Sequence, residues 1–292
     1  MRILHLSDTH LDRTDSPNAD GVNAQQSLRQ MLGDLEAVQD IDAIAISGDI
    51  AGDRSKEAYH AARELIGEFA RSRNVPMIYS TGNEDDRRAF GDVLGSGHLD
   101  ATGHDRADGV LSSSEDERAA ISHAAGYRFI TLDSLVPGKA YGWIGKTQLD
   151  WLREVLSEAS PRGTVLVFHH PPIALDVEVQ RALSLQNASA LAAAIRDTDV
   201  QLILCGHFHL QLFGYLESVA VSVTPGVVTR VDLTAAAGTE RAVRGASATI
   251  VHLGTPNSPV LHVLHARDPR VGETVYELDE DEVRAEIEKL GP

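Results

Sequence analysis

Five short apolar runs in this chain each end in Asp, Asn or His, and no other feature restricts the possible folds as tightly. Residues 3–6 lead into Ser7-Asp-Thr-His10, 43–46 into Ser47-Gly-Asp49, and 77–80 into Thr81-Gly-Asn83. Residues 164–168 lead into His169-His170, and 202–205 into Gly206-His-Phe-His209. Each run has the length of a buried strand, and helical patterns separate them. Leu28, Met31, Leu32 and Leu35 within 23–39 keep i, i+3, i+4, i+7 spacing. Tyr59, Ala62, Leu65, Ile66 and Phe69 repeat that pattern, as do Leu149, Leu152, Val155 and Leu156 behind Thr147, a candidate N-cap. Asn187 is a candidate cap for a further helix over 188–195. Alternating strands and helices predict a layered α/β fold. Ligands of open α/β sheets collect outside the carboxyl ends of strands, so these tips are expected to converge although they span two hundred positions.

Taken singly, each tip has an ordinary explanation. A strand-end His is often only a hydrogen-bonded structural residue, and Asp49 or Asn83 after a Gly could serve a turn. Accident explains one such tip well and five poorly. Five of the 13 histidines lie in these tips, together with Asp8, Asp49 and Asn83. A mixed His, Asp and Asn set suits Mn, Fe or Zn, and the lack of ligating cysteines disfavours a thiolate zinc site. Asp8, His10, Asp49, Asn83, His169, His207 and His209 are too many donors for one tetrahedral ion and about right for two. A shared carboxylate can hold such a pair roughly 3.5–4 Å apart.

Composition narrows the partners. The 292 residues, 42% hydrophobic, suffice for one large domain or two small ones. A formal net charge of −17 argues against a nucleic-acid polymer or an anionic membrane as partner. No run approaches the roughly 18 apolar residues of a membrane span, and the N-terminus enters strand-like sequence at once, so a cytoplasmic protein is expected. Cys205 is the single cysteine and reads as a small buried hydrophobe. Residues 129–132, 220–223, 248–253 and 259–264 are further strand candidates, with few helices between the last three. Residues 95–118 read as a surface loop; His98, His104 and His123 read as exposed, and His60, His252, His262 and His265 as structural. Asp279 is expected to cap a final helix with Val283, Ile287 and Leu290 as a thin apolar stripe.

Asp8-Thr-His10, Gly48-Asp49, Gly82-Asn83, His169 and Gly206-His-Phe-His209, in that order, resemble the motif series of the calcineurin-like metallophosphoesterases. Leu6-Ser-Asp-Thr-His-Leu11, Leu132-Asp-Ser-Leu-Val-Pro-Gly138 and His169-His-Pro-Pro-Ile173 look more closely like the bacterial class III 3′,5′-cyclic nucleotide phosphodiesterases. The resemblance covers about 1–265 and leaves 266–292 as an acidic C-terminal tail with a short helix. It implies a four-layer α/β/β/α sandwich of two facing mixed sheets. Asp8, His10, Asp49 and His209 would hold one divalent ion, and Asp49, Asn83, His169 and His207 a second, with Asp49 as the bridge. The implied reaction is hydroxide attack on a small phosphodiester, cyclic AMP being the first substrate to expect. Homodimers are common among such relatives. The local charge of two divalent ions can outweigh an acidic surface, so that surface does not bar an anionic substrate.

One position departs from the motif. The family reads Gly-Asn-His followed by an acid, whereas this chain reads Gly82-Asn-Glu-Asp85. The usual His contacts phosphate and helps protonate the leaving oxygen. Glu84 in its place leaves four alternatives open: a weakened general acid, a metal ligand, a change of specificity toward other phosphoesters or carboxylic esters, or an engineered replacement. His170 is a candidate substrate contact or a support for His169. A low-turnover protein that binds metal and nucleotide is the alternative to an enzyme.

Overall fold

The central strands are buried on both faces, and alternate side chains enter different layers of core. The computed structural model describes residues 1–292. Its first half runs β1 (Arg2–Leu6), α1 (Ala24–Asp34), β2 (Ala43–Ser47), α2 (Lys56–Arg73), β3 (Met77–Ser80), α3 (Arg87–Leu94) and β4 (His98–Leu99). It continues through β5 (Gly109–Val110), β6 (Ala120–Ala124), β7 (Tyr127–Thr131), α4 (Lys146–Leu156), β8 (Thr164–Val167), α5 (Glu178–Leu183), α6 (Ala188–Ile195) and β9 (Val200–Cys205). The remainder is β-rich: β10 (Leu212–Leu216), β11 (Val219–Val223), β12 (Thr229–Val231), β13 (Glu240–Arg244), β14 (Ser247–His252), β15 (Val260–His265) and β16 (Thr274–Leu278), closed by α7 (Glu280–Leu290).

These strands make two large mixed sheets, ordered β15-β14-β1-β2-β3-β4 and β10-β11-β9-β8-β7-β6-β5. Ile3, Ala43, Ala45 and Ile78 of the first sheet share one buried layer with Tyr127, Phe129, Val165, Val167, Leu202 and Leu204 of the second. Leu4, Leu6, Ile44 and Ile46 point the other way and pack with Leu28, Tyr59 and Ile66 of α1 and α2. Ile130, Leu166 and Ile203 do the same beneath Leu152 of α4 and Leu191 of α6. The result is the expected α/β/β/α sandwich. Across this layer β2 meets β8 and β9, so the small Ala43 and Ala45 lie against the larger Val165, Val167, Leu202 and Leu204, which lets the two pleated faces approach closely.

Helix starts follow local chemistry. Asn23 accepts from Gln26 N at 2.9 Å, Ser55 from Ala58 N at 3.2 Å and Asp86 from Ala89 N at 2.7 Å, each satisfying a free N–H of a first turn. Two expected caps behave differently. Gly145, rather than Thr147, precedes α4. Asn187 does precede α6, but its amide is spent on the backbone of Ile144, accepting at 3.1 Å and donating at 2.8 Å.

Residues 95–118 are not all loop, for β4 and β5 lie there. His98 is fully buried rather than exposed, because its ring spans the sheets, meeting Ser122 Oγ at 2.6 Å and Thr131 Oγ1 at 3.0 Å. His104 and His123 are exposed, and Cys205 is buried, as expected. The C-terminal residues carry more than a helix: β16 pairs with β13 in a third, antiparallel sheet ordered β12-β13-β16. No helix is long and apolar enough to cross a membrane.

Candidate metal centre

Parallel strands put the polar tips on one edge. β1, β2 and β3 run parallel in the first sheet, and β8 and β9 do so in the second, so their C-terminal ends emerge together. The backbone bends sharply there. Asp8, His10, Asp49, His207 and His209 all have positive φ, between 40° and 72°, which non-glycine residues adopt only where surroundings enforce it. Gly48 also has positive φ, and a Cβ there would lie 2.7 Å from His169 Nδ1. That close approach is what its lack of a side chain permits.

Hydrogen bonds fix which ring nitrogens carry protons. His169 Nδ1 lies 2.7 Å from the Ser47 carbonyl, which can only accept, so Nδ1 donates and Nε2 keeps a bare lone pair. That lone pair faces Asn83 Oδ1 at 3.1 Å, Asp49 Oδ2 at 3.2 Å and His207 Nδ1 at 3.2 Å. His209 Nδ1 donates toward Thr229, 2.8 Å from its Oγ1 and 3.2 Å from its carbonyl. His10 Nδ1 donates to Glu84 Oε2 at 2.9 Å. Their Nε2 atoms therefore face one another at 3.0 Å, with Asp8 Oδ1 3.4 Å from His209 Nε2. Two nests of acceptors thus converge with their protons turned outward. Only cations relieve that arrangement, and the residues present fit metal ions.

Asp49 links the nests, because its carboxylate lies within 4.8 Å of the donor atoms of Asp8 and His169 on one side and of His10 and Glu84 on the other. With protons as the only cations, the same crowding appears as displaced pKa values. Burial alone would lower His10, yet Glu84, Asp49 and Asp8 raise it to about 10. Burial would likewise lower His169, but Asp49 and Asp8 raise it to about 9. Burial favours a neutral Asp49, whereas the adjoining His169 holds it down at about 2. His207 falls to about 3 through burial and the neighbouring His169.

The three acids after Asn83 have three separate jobs. Glu84 reaches His10. Asp85 is buried and accepts from Gly82 N at 2.8 Å, Ala51 N at 3.1 Å, Ile50 N at 3.2 Å and Tyr59 OH at 2.8 Å, tying the tip after β3 to the tip after β2. Asp86 caps α3. His170 is fully buried, its Nδ1 2.7 Å from Ser134 Oγ and its ring centroid 4.6 Å from that of His207. It lines neither cavity at the site. Sequence reading missed Thr229 and the Ser47 carbonyl, since backbone acceptors and a lone Thr carry no motif.

Two cavities open from the centre. One, of about 440 Å3, is lined both by His10, Asp49, Asn83, His207 and His209 and by apolar side chains of α5, β16 and α7. The second, about 270 Å3, shares His10, Glu84, His209 and Tyr276 with it.

Residues 1–211 match the calcineurin-like phosphoesterase family, and the chain belongs to it. It is therefore a phosphoesterase, a hydrolase of phosphoric esters. A probable cyclic nucleotide phosphodiesterase of Rhodococcus erythropolis is 33% identical over 253 residues, 86% of this chain and 79% of that one. A cAMP/cGMP dual specificity phosphodiesterase of Mycobacterium tuberculosis is 34% identical over 86% of this chain and 75% of its own. A 3′,5′-cyclic adenosine monophosphate phosphodiesterase of Escherichia coli is 30% identical over 73% of this chain and 70% of its own. Among solved structures, a dimetal phosphatase of Danio rerio shares the fold at a TM-score of 0.57 and 13% identity, covering 91% of this chain and 98% of that one.

Proposed function

We propose that this chain is a dinuclear, metal-dependent phosphodiesterase whose substrate is a small diester, 3′,5′-cyclic AMP foremost. The observation that carries this reading is the pair of inward-facing acceptor nests joined at Asp49. In it Asp8, His10, Asp49 and His209 hold one divalent ion, and Asp49, Asn83, His169 and His207 hold the other, with Mn, Fe and Zn all suited to the donors. Such ions, when bound, supply Lewis-acid charge that activates water and offsets charge on the phosphoryl oxygens.

The chain supplies position. Ser47 and Thr229 take the outward protons of His169 and His209 and so hold each ring in the tautomer a ligand needs. Glu84 does the same for His10, which makes it a positioning residue rather than the replacement acid that its place in the motif suggests. His170, on Ser134 and against His207, supports the second nest from behind. Neither cavity is lined by Lys or Arg, so charge compensation for a substrate is confined to the metal centre. That favours an ester with one phosphoryl group over a polyphosphate. The similarity to named cyclic nucleotide phosphodiesterases points the same way.

The test is hydrolysis of cyclic AMP to 5′-AMP by Mn-loaded protein beside Asp49→Ala. The reading expects turnover that falls at least a thousandfold in the variant. Metal binding without turnover of any diester would leave a binding protein instead.

A further inference from the structure

We propose that β16 and α7 form the specificity wall of this site and seat the uncharged, apolar part of the substrate. The inference rests on the phosphodiesterase reading and names what lies beyond the phosphate. The 440 Å3 cavity is lined by Leu278 of β16 and Val283 and Leu290 of α7, together with Val177 and Leu183 at the two ends of α5, a helix that contacts α7. His10, Asp49 and Asn83 line the same cavity.

The wall is built, not loosely draped. β16 pairs with β13, opposing Leu278 to Glu240 and Tyr276 to Ala242. Asp279 starts α7 with a reciprocal capping box, accepting from Glu282 N at 2.9 Å while Glu282 Oε2 accepts from Asp279 N at 2.9 Å. Its far end is tied down as well: Ala140 N donates to the Leu290 carbonyl at 3.0 Å, and Lys139 Nζ donates to Gly291 O at 2.9 Å. The helix therefore spans from the small sheet to the 139–140 loop. Yet none of its residues is fully buried, and Val283 and Leu290 remain half-exposed along the cavity. Apolar side chains held rigidly at a cavity mouth gain by covering apolar ligand surface.

Charge sharpens the selection. Asp12, Asp20, Asp232, Glu240 and Glu286 line the two cavities and no Lys or Arg does. A second phosphate placed there would be desolvated without a partner and repelled. A purine or an alkyl group would not.

The test uses full-length, Mn-loaded protein and two esters, methyl and hexyl p-nitrophenyl phosphate. Burying each added methylene predicts a rise in kcat/KM of about two- to fourfold per carbon until the wall is covered. The Val283→Ala/Leu290→Ala double variant should lose about tenfold on the hexyl ester and less than twofold on the methyl ester. Ile287→Ala, on the same helix but outside the cavity lining, should keep the wild-type ratio. Equal losses on both esters, or no preference for hexyl in the wild type, would overturn the wall. Calorimetry with methyl- and hexylphosphonate needs no turnover and separates the two readings. If neither ester is cleaved but hexylphosphonate binds more tightly and loses that gain in the double variant, the apolar wall stands and the hydrolytic reading falls. Equal binding of the two phosphonates overturns the wall.

Discussion

At the scale of single residues, Glu84 is the position where motif and geometry part. A motif comparison makes it a lost histidine, whereas its carboxylate lies 2.9 Å from His10 Nδ1, the contact on which the proposed positioning role rests. Removing such an orienting group typically weakens metal binding 10–100-fold. Glu84→Ala should therefore lower affinity for one of two ions by about that factor, with Glu84→Gln in between, as read by competition with a chromogenic chelator. Unchanged affinity in Glu84→Ala would remove the positioning role. His98 supplies a second residue-scale prediction, well away from the metal centre. Burial pushes its pKa to about 3, so the folded state keeps it neutral while the unfolded chain protonates near 6.5. Its contribution is complete above about pH 6.5 and is lost as pH falls from there toward 3, at up to about 1.4 kcal/mol per pH unit. Urea unfolding of His98→Gln should show a shallower loss of stability between pH 6 and 4 than the wild type; an identical slope would contradict it. The buried state of His98 was not legible in sequence, because only the second sheet brings Ser122 and Thr131 to its ring.

At the scale of elements, legibility followed pattern length. The long amphipathic runs of α1, α2 and α4 and the apolar strands β1, β2, β3, β8 and β9 were readable, since periodicity marks a buried face wherever the partner lies. Several short or half-exposed elements were not, although β15 was. β4 and β5 are two residues each, α3 follows a cap hidden among three acids, and β10 and β16 alternate with exposed positions. α7 was readable from Asp279 and its thin stripe, but nothing in the sequence said that the stripe borders a cavity. Its cap predicts a local effect: Asp279→Ala should cost about 1 kcal/mol of helix stability. Hydrogen exchange should quicken over 280–290 by several-fold while β1 and β9 stay protected. Uniform quickening across the chain would mean that α7 is bound into the global core instead.

At the scale of the whole molecule, one physical device brings together candidate donors that are two hundred residues apart in sequence. Two sheets face each other, their parallel strands end on one edge, and bent tips turn lone pairs inward while backbone and side-chain acceptors hold the outward protons. The candidate donors were legible because each follows an apolar run; the tautomers were not, because they depend on Ser47, Thr229 and Glu84 meeting rings from distant strands. Cations that bind only the folded centre stabilise it by mass action. Stripping metal should lower the melting temperature by several degrees, and returning Mn should restore it; a melting temperature indifferent to chelator would count against a preformed centre. The most direct test of the central claim is the stoichiometry of Mn binding to metal-stripped protein by calorimetry, with Asp49→Ala beside it. Two ions per chain, with both weakened by the single Asp49 substitution, is the predicted result. One ion per chain, or two of which only one responds to Asp49, would contradict a centre linked through that carboxylate.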